Sequence, residues 1–566
     1  MAKRKTTELT TITAAQLAAG DWFPVVDVSD TTDSSTGTNK KIAKSELAEA
    51  VGLTAHLADA TAAHPASAID VSDIGSYYAA DNVEEILAEL PSKYGLVAKA
   101  ATGVSATDTA NLQATITAAA GKGIIIPAGS YVITALSIPA NTSVFLSRGC
   151  TLTLAASANT NLLNVAGDNV TIEGHGRLDG NRSNQSGNSN GVYTVSDKTT
   201  VRNVTVSSCN GYNIVAFPGA TDFRVTGCTS LDARDEGIEA QGANRVTIAN
   251  NIVRSAGKNG IYVYANTTSN SSNTCKDVTI TGNVVEGSSA LSSGYANIRV
   301  DDRAQNVTVS GNTVSGGGTS CNGIVVASST TYHTQNVTVS GNTVRSAPAA
   351  GIQASTYTKN TTIIGNTVSG AGTHGIYVTG ANTTGTAVVG NTVADCTGSG
   401  IMVLDTTDFT VADNVCKNNG QGANTSTYHG ITLWQSTGTV DKGLVSGNRC
   451  FDDQGSKTQQ YGIRTVNTIG ASVSIGPNIL DGNGTSGMLF SFGGATAASC
   501  VPWKLIANQS VSSGGTSIAH GLPYTPQTVL IFMRSAGTVF RAAGSDGTYV
   551  VLASDSGTRT CDILVG

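Results

Sequence analysis

The sequence predicts an all-β fold, a parallel solenoid in which short strands and turns form coils that stack one on the next. Three observations carry this. The first is a kernel, V-x-x-G-N-x-V, whose ten-residue form QNVTVSGNTV occurs at 305–314 and again at 335–344. Its asparagines are Asn251, Asn283, Asn312, Asn342, Asn366, Asn391, Asn414 and Asn448, with steps of 32, 29, 30, 24, 25, 23 and 34 residues. The second is another kernel between these, a small residue followed by Ile and alternation, as in GIEAQ (237–241), GIYVY (260–264), NIRVD (297–301) and GIYVT (375–379). The third is composition. Gly is abundant at 65 residues, and charged residues are only 13%, against about 25% in ordinary domains.

Strands have a period of two, so the second and fourth residues of the second kernel share a face. The second is Ile in all nine copies from Ile238 to Ile463, and the fourth is small or aliphatic nearly throughout. That face belongs to a core. A unit near 24 residues with two or more short strands is too short for a propeller blade, and the Leu pattern of a horseshoe is absent. Stacked coils satisfy it, rising ~4.8 Å each, with equivalent residues in ladders and the Asn column stacked amide on amide. Longer steps are coils with an added loop, such as 267–277 and 418–429.

The remaining totals exclude several classes. Net charge is −6, and no long basic run follows Lys3-Arg4-Lys5, so no nucleic-acid partner is expected. No apolar run is long enough to span a bilayer, so no membrane insertion is expected either. TTELTTITAAQLAAGDW (6–22) is too polar for a signal peptide, which points to folding in a cytoplasm. The ten cysteines are scattered, and small reduced core residues are the reading they suggest. The seven histidines show no metal-ligand spacing, and Gly121-Lys122-Gly123 lacks the Ser/Thr of a phosphate loop. No metal and no cofactor are expected.

Taken in chain order, three regions follow: 1–98, 99–497 and 498–566. In the first, 83–90 reads as a short helix started by Asp81-Asn82. ATDTANLQATITAAAGKGIIIPAGSYVI (106–133) reads as an amphipathic helix, a Gly turn and a strand. With VTIEGHGRLDGN (170–181), it resembles the start of a pectate-lyase-like, right-handed single-stranded parallel β-helix, in which a capping helix covers the open first coil. The resemblance spans about 100–495 and is specific for fold, not for reaction. GDWFPVVDVSDTTDSSTGTNKKIAKSEL (20–47) and HPASAIDVSDIGSYYAADNVEEILAEL (64–90) resemble virion-attachment and other recurrent segments of bacteriophage tail fibres and tailspikes. SVSSGGTSIAHGLPYTPQTVLIFMRSAG (510–537) reads as strands, and its H-G-L-x-x-x-P pattern at His520–Pro526 is similar to terminal domains of phage fibres. Such a β-rich domain would cap the solenoid and help it trimerise or bind carbohydrate.

Together these segments resemble a phage tailspike. The resemblance implies a homotrimer on the virion tail, assembled in the host cytoplasm and joined to other tail proteins through its N-terminal region. It also implies recognition, and degradation, of a host surface polysaccharide, either lipopolysaccharide O-antigen or capsule. A non-catalytic receptor-binding spike and a polysaccharide lyase or epimerase outside a virion are the alternatives.

Chemistry on such a fold is expected on outward columns. The third residue of the second kernel runs Glu239, Tyr262, Arg299, Val325, Gln353, Tyr377, Met402, Thr432 and Arg464. The fifth runs Gln241, Tyr264, Asp301, Ala327, Ser355, Thr379, Leu404, Trp434 and Val466. The early end is richest. Glu239, Asp301 and Asp235 are the catalytic candidates, because glycoside hydrolysis needs two carboxyls ~5–9.5 Å apart. Glu239 and Asp301 lie two coils apart, and Asp235 or Glu236 with Glu239 makes a closer pair. Gln241, Tyr262, Tyr264, Arg299, Asp302, Tyr377 and Trp434 are the substrate-binding candidates. The competing reading makes Glu239, Arg299 and Asp301 an exposed cross-strand charge network.

Overall fold

The computed structural model describes two strands in the N-terminal region and residues 96–565, apart from 267–269, 271, 329–331, 381, 423–427, 468, 471, 490–503, 520–528, 534–537, 542–548 and 556. The chain divides into two compact units, Met1–Lys93 and Tyr94–Gly566. The described part of the first is an antiparallel pair, Trp22–Asp27 with Thr38–Ala43. The helix expected at 83–90 and the His520–Pro526 pattern lie outside the described residues.

The second unit is the predicted solenoid. Helix α1 (Ser105–Ala118) precedes the first coils and buries Leu112 and Ile116 against the same core. Asp108 fixes its start, accepting hydrogen bonds from the backbone of Thr102, Gly103 and Val132 at 2.8–3.0 Å. The coils then build three parallel sheets of 15, 13 and 14 strands, each strand pairing with its equivalent one coil away. The interior is one continuous cluster of Ile, Val, Leu, Ala and Cys from Ala98 to Ile475. Beyond it come two small antiparallel sheets with their own core, including Val550, Leu552 and Ile563. The nine described cysteines are buried.

The two kernels explain themselves here. QNVTVSGNTV is a first-sheet strand, a turn and a second-sheet strand, and its two copies pair residue for residue from Gln305↔Gln335 to Val314↔Val344. The turn glycines Gly311, Gly341, Gly365 and Gly390 have φ of 61–64°, a region that disfavours a side chain. Each following Asn is buried. Its Oδ1 accepts both the backbone N–H and the Nδ2–H of the Asn in the preceding coil, at 2.9–3.0 Å. Its own Nδ2 also donates to a carbonyl of the preceding coil, as Asn342 does to Val309. The ladder runs from Asn251 through Asn448 to Asn478. Gly in the second kernel has a different cause. A Cβ on Gly237 would stand 2.5 Å from Val253 Cγ1 and 2.7 Å from the Gly260 carbonyl oxygen.

Candidate functional site

The second-kernel strands form the third sheet, and its register is the predicted one. Strands β1 (Ile238–Gln241), β2 (Ile261–Tyr264) and β3 (Ala296–Asp301) pair as Glu239↔Tyr262↔Arg299 and Gln241↔Tyr264↔Asp301. The added loop between Tyr264 and Asn297 therefore causes no slip. Ile238, Ile261 and Ile298 turn into the core, which sends the intervening side chains outward.

Outward does not mean exposed. Glu239 is 1% accessible, Asp301 2%, Asp235 6% and Gln241 7%. The expectation of an exposed charge patch is corrected: these side chains leave the core and are then covered. The turn before β1 brings Glu236, itself buried, within hydrogen-bonding reach of Glu239. The Tyr264 phenol stands beside the Glu239 carboxyl and favours its charged form, and Asn259 Nδ2 donates to Glu236 Oε1 at 3.1 Å.

Burial, foremost, pushes both carboxyls up, with the Asp235 charge adding for Glu236 and the Glu236 charge adding for Glu239: Glu236 rises to about 7 and Glu239 well above the ordinary value. Lys258 and the Asn259 amide both favour the charged form of Glu236. Two atoms here lack a partner: Glu239 Oε1 and Gln241 Oε1 are both buried without a donor. A buried acceptor left so costs ~1–3 kcal/mol, which a ligand's hydroxyl or amide would recover.

The aromatic candidates gather beside the pair. Tyr262 and Tyr264 stack at 4.2 Å between centroids and 9° between planes. Burial raises the phenols of Tyr212, Tyr262 and Tyr264, with Glu239 adding to each shift, so all three remain neutral donors.

The other carboxylates are already engaged. Asp235 is bound by Arg234 at 2.7 Å and Lys258 at 3.0 Å. Burial alone would raise it, but these two cations hold it below the usual range. Asp301 Oδ2 receives Arg299 Nε and Nη2 at 2.8 and 2.6 Å, and its Oδ1 receives the Asp302 N–H at 2.8 Å. Asp302 sits in a left-handed turn, φ 39°, and its carbonyl accepts the Ala265 N–H. Arg299 in turn lies 6.0 Å over the Tyr262 ring. Asp235 and Asp301 thus flank the carboxyl pair as halves of ion pairs. Tyr377 and Trp434 lie on the same sheet several coils farther on, with Tyr377 against His374 at 5.1 Å.

Glu236 is the partner that the outward columns alone do not single out. The signal for it is the residue just before each G-I pair, a third column running Tyr212, Glu236, Asn259, Ala296, Asn322, Ala350, His374, Ser399, His429 and Tyr461. Among the described residues no three His, Cys, Asp or Glu side chains are placed to hold a metal ion.

Comparison with known proteins agrees on the fold. A right-handed β-helix region matches residues 115–292, and the periplasmic copper-binding protein (NosD) family matches 267–450. The copper in that family's description finds no such ligand set here among the described residues. No curated protein matches the chain. A double mutant of the tailspike protein of E. coli bacteriophage HK620, solved with a pentasaccharide, is 14% identical, covering 88% of this chain and 97% of its own, with a TM-score of 0.54. The Dettilon tailspike protein is 13% identical over 84% and 93%, TM-score 0.43. The A-module of a mannuronan C-5 epimerase from Azotobacter vinelandii is 17% identical over 70% and 97%, TM-score 0.40. The chain is a right-handed parallel β-helix protein that resembles tailspikes in structure, at low identity.

Proposed function

We propose that this protein is a tailspike-type enzyme that binds a bacterial surface polysaccharide, O-antigen or capsule, and hydrolyses it at Glu236 and Glu239. In this reading it acts as a homotrimer on a phage tail, with 1–98 facing other tail proteins. The observation that carries the reading is the buried carboxyl pair, Glu236 on the turn before β1 and Glu239 on its outward side. Glycoside cleavage needs an acid that keeps its proton at neutral pH and a carboxylate beside it. Glu239 suits the first role, donating to the glycosidic oxygen. Glu236, steadied by Asn259, suits the second. In hydrogen-bonding reach, the two are nearer the ~5–5.5 Å of retaining glycosidases than the ~6.5–9.5 Å of inverting ones.

The surroundings support a sugar. The stacked Tyr262 and Tyr264 offer an aromatic wall for the C–H face of a pyranose. Gln241 Oε1 and Glu239 Oε1 wait for donors. A β-helix tailspike of similar fold has been captured with a pentasaccharide, a ligand of the same class. Receptor binding without cleavage is the second reading, favoured by the near-complete burial of Glu239.

One assay decides between them. The full chain is incubated with a panel of purified O-polysaccharides and capsular polysaccharides, and released reducing ends are measured. Hydrolysis by wild type, abolished in Glu239→Gln, supports the enzyme. Retention of a polysaccharide without release supports the binding spike. Release of an unsaturated, ultraviolet-absorbing product would replace hydrolysis by elimination.

A further inference from the structure

The same outward columns change character five coils beyond the carboxyl pair, about 24 Å along the stack at ~4.8 Å per coil. There the column before G-I reads His374, Ser399, His429 and Tyr461, and the third-residue column reads Tyr377, Met402, Thr432 and Arg464. Neither contains a carboxylate. Between the two regions Ala296, Val325 and Ala327 form a small buried apolar cluster separate from the main core, and the next coil carries Gln353 and Ser355. No carboxylate of the outward columns lies between Asp301 and the late region.

Its side chains are held in definite states. His374 packs on Tyr377 at 5.1 Å and meets the edge of Tyr428 at 5.5 Å. Its Nδ1 accepts the Ser399 N–H at 3.1 Å, which leaves the proton on Nε2. Burial lowers its titration to about 4, so the ring is neutral. Two coils on, His429 stands edge-on to Tyr461 at 5.1 Å. Arg464 Nη1 lies 2.9 Å from His429 Nε2. A guanidinium only donates, so His429 accepts there and is also uncharged. Ser399 and Thr432 hydroxyls bond each other at 2.8 Å beneath. Tyr377, Tyr428, Tyr461 and Trp434 all keep part of their surface exposed.

We infer that this region is a second glycan-binding site, which grips a distant stretch of the polymer cut at Glu236 and Glu239 and does no chemistry itself. Partly exposed phenol rings match the apolar faces of pyranoses, and the partly exposed Arg464 guanidinium and His374 Nε2–H match their hydroxyl rims, with buried His429 holding Arg464 from below. The class of ligand rests on the glycan reading of the first site. The division of labour rests on the absence of an acid-base pair from these columns. Two sites joined by one polymer raise its affinity over that of a short fragment without new contacts.

The test uses the full chain carrying Glu239→Gln, to prevent cleavage, and the polysaccharide that this chain retains from the panel. Affinity is measured for long chains and for single-repeat fragments. Adding Tyr377→Ala with Arg464→Ala should weaken long-chain binding roughly tenfold or more and change fragment binding less than about twofold. Arg464→Gln alone, which keeps a donor beside His429, should act in the same direction by less. It serves as the readout if the double substitution lowers the unfolding midpoint. Unchanged long-chain affinity, or an equal loss on both lengths, overturns the second site. If Tyr262→Ala weakens binding at both lengths while the late variants bind normally, only the second site fails. If no polysaccharide is retained by any form, the glycan reading and the second site fall together.

Discussion

At the turn between the first and second sheets the side chain is Asn in every coil from Asn251 to Asn478, whereas the outward columns of the third sheet change residue at almost every coil. Both positions recur on the same scaffold. They differ in what the neighbouring coil demands. A buried Asn amide must accept from the Asn of the coil before it and donate to the Asn of the coil after, so each fixes the next. An outward side chain on the third sheet makes no such repeated bond to its equivalent in the next coil. The solenoid thus spends one column on continuity and leaves others free for chemistry, where Glu236 and Glu239 stand at one coil and His374 and Tyr377 at another.

That contrast can be broken in order of effect. Glu239→Gln should leave the fold intact and reduce polysaccharide cleavage by roughly 10²–10⁴, the usual contribution of a general acid. Reducing-end release measures it, and an unchanged rate would move the reaction elsewhere. In the ladder the effect should be on stability instead. Asn366→Leu strips the acceptor from the Asn342 N–H and Nδ2–H and the donor from the Val339 carbonyl. At ~1–3 kcal/mol per orphaned buried group, a loss of about 3 kcal/mol or more is expected in denaturant unfolding. A change below about 1 kcal/mol would mean the ladder is ornament.

Smaller effects sharpen the same distinction. Tyr262→Ala removes one half of the stacked pair and should weaken glycan binding by about 1 kcal/mol with little change in stability, read by calorimetric titration. Arg202→Ala, which deletes a half-exposed partner of Glu173 on the first sheet, should shift stability by no more than ~0.5 kcal/mol and leave binding alone. A large effect on binding there would place the glycan on the wrong face.

The architecture was legible because it is written many times. Ile at the second position and Asn after Gly fix period, register and facing, and the pairing follows them coil by coil across the longer step between Tyr264 and Ala296. The site was half legible. Glu239, Gln241, Tyr262 and Tyr264 come from the outward columns, and they do lie together. Which carboxylates are engaged was not, because ion pairing depends on turn geometry: Asp235 meets Lys258 from the next coil, and Asp301 meets Arg299 two residues away. Burial was hidden too, since alternation tells which way a side chain leaves the strand and not what covers it. Ladder length was understated for a similar reason: Asn478 follows Pro477 and lacks the Gly of the kernel, yet its side chain continues the bonds.

The claim at the centre is that burial raises the Glu236 and Glu239 carboxyls, side by side on the third sheet's outward face, well above the ordinary range. Its most direct test is the pH dependence of stability in wild type and Glu236→Gln/Glu239→Gln. The ordinary value is 4.5 and the folded values are raised, Glu236 to about 7. Between them the folded chain binds more protons than the unfolded one, so this contribution is fully present below about pH 4.5 and is lost as pH rises through neutrality. Wild type should therefore lose stability relative to the double variant across that window, with the curves parallel below it. Parallel curves from acid to alkaline pH would show two ordinary ionised carboxylates and contradict the account.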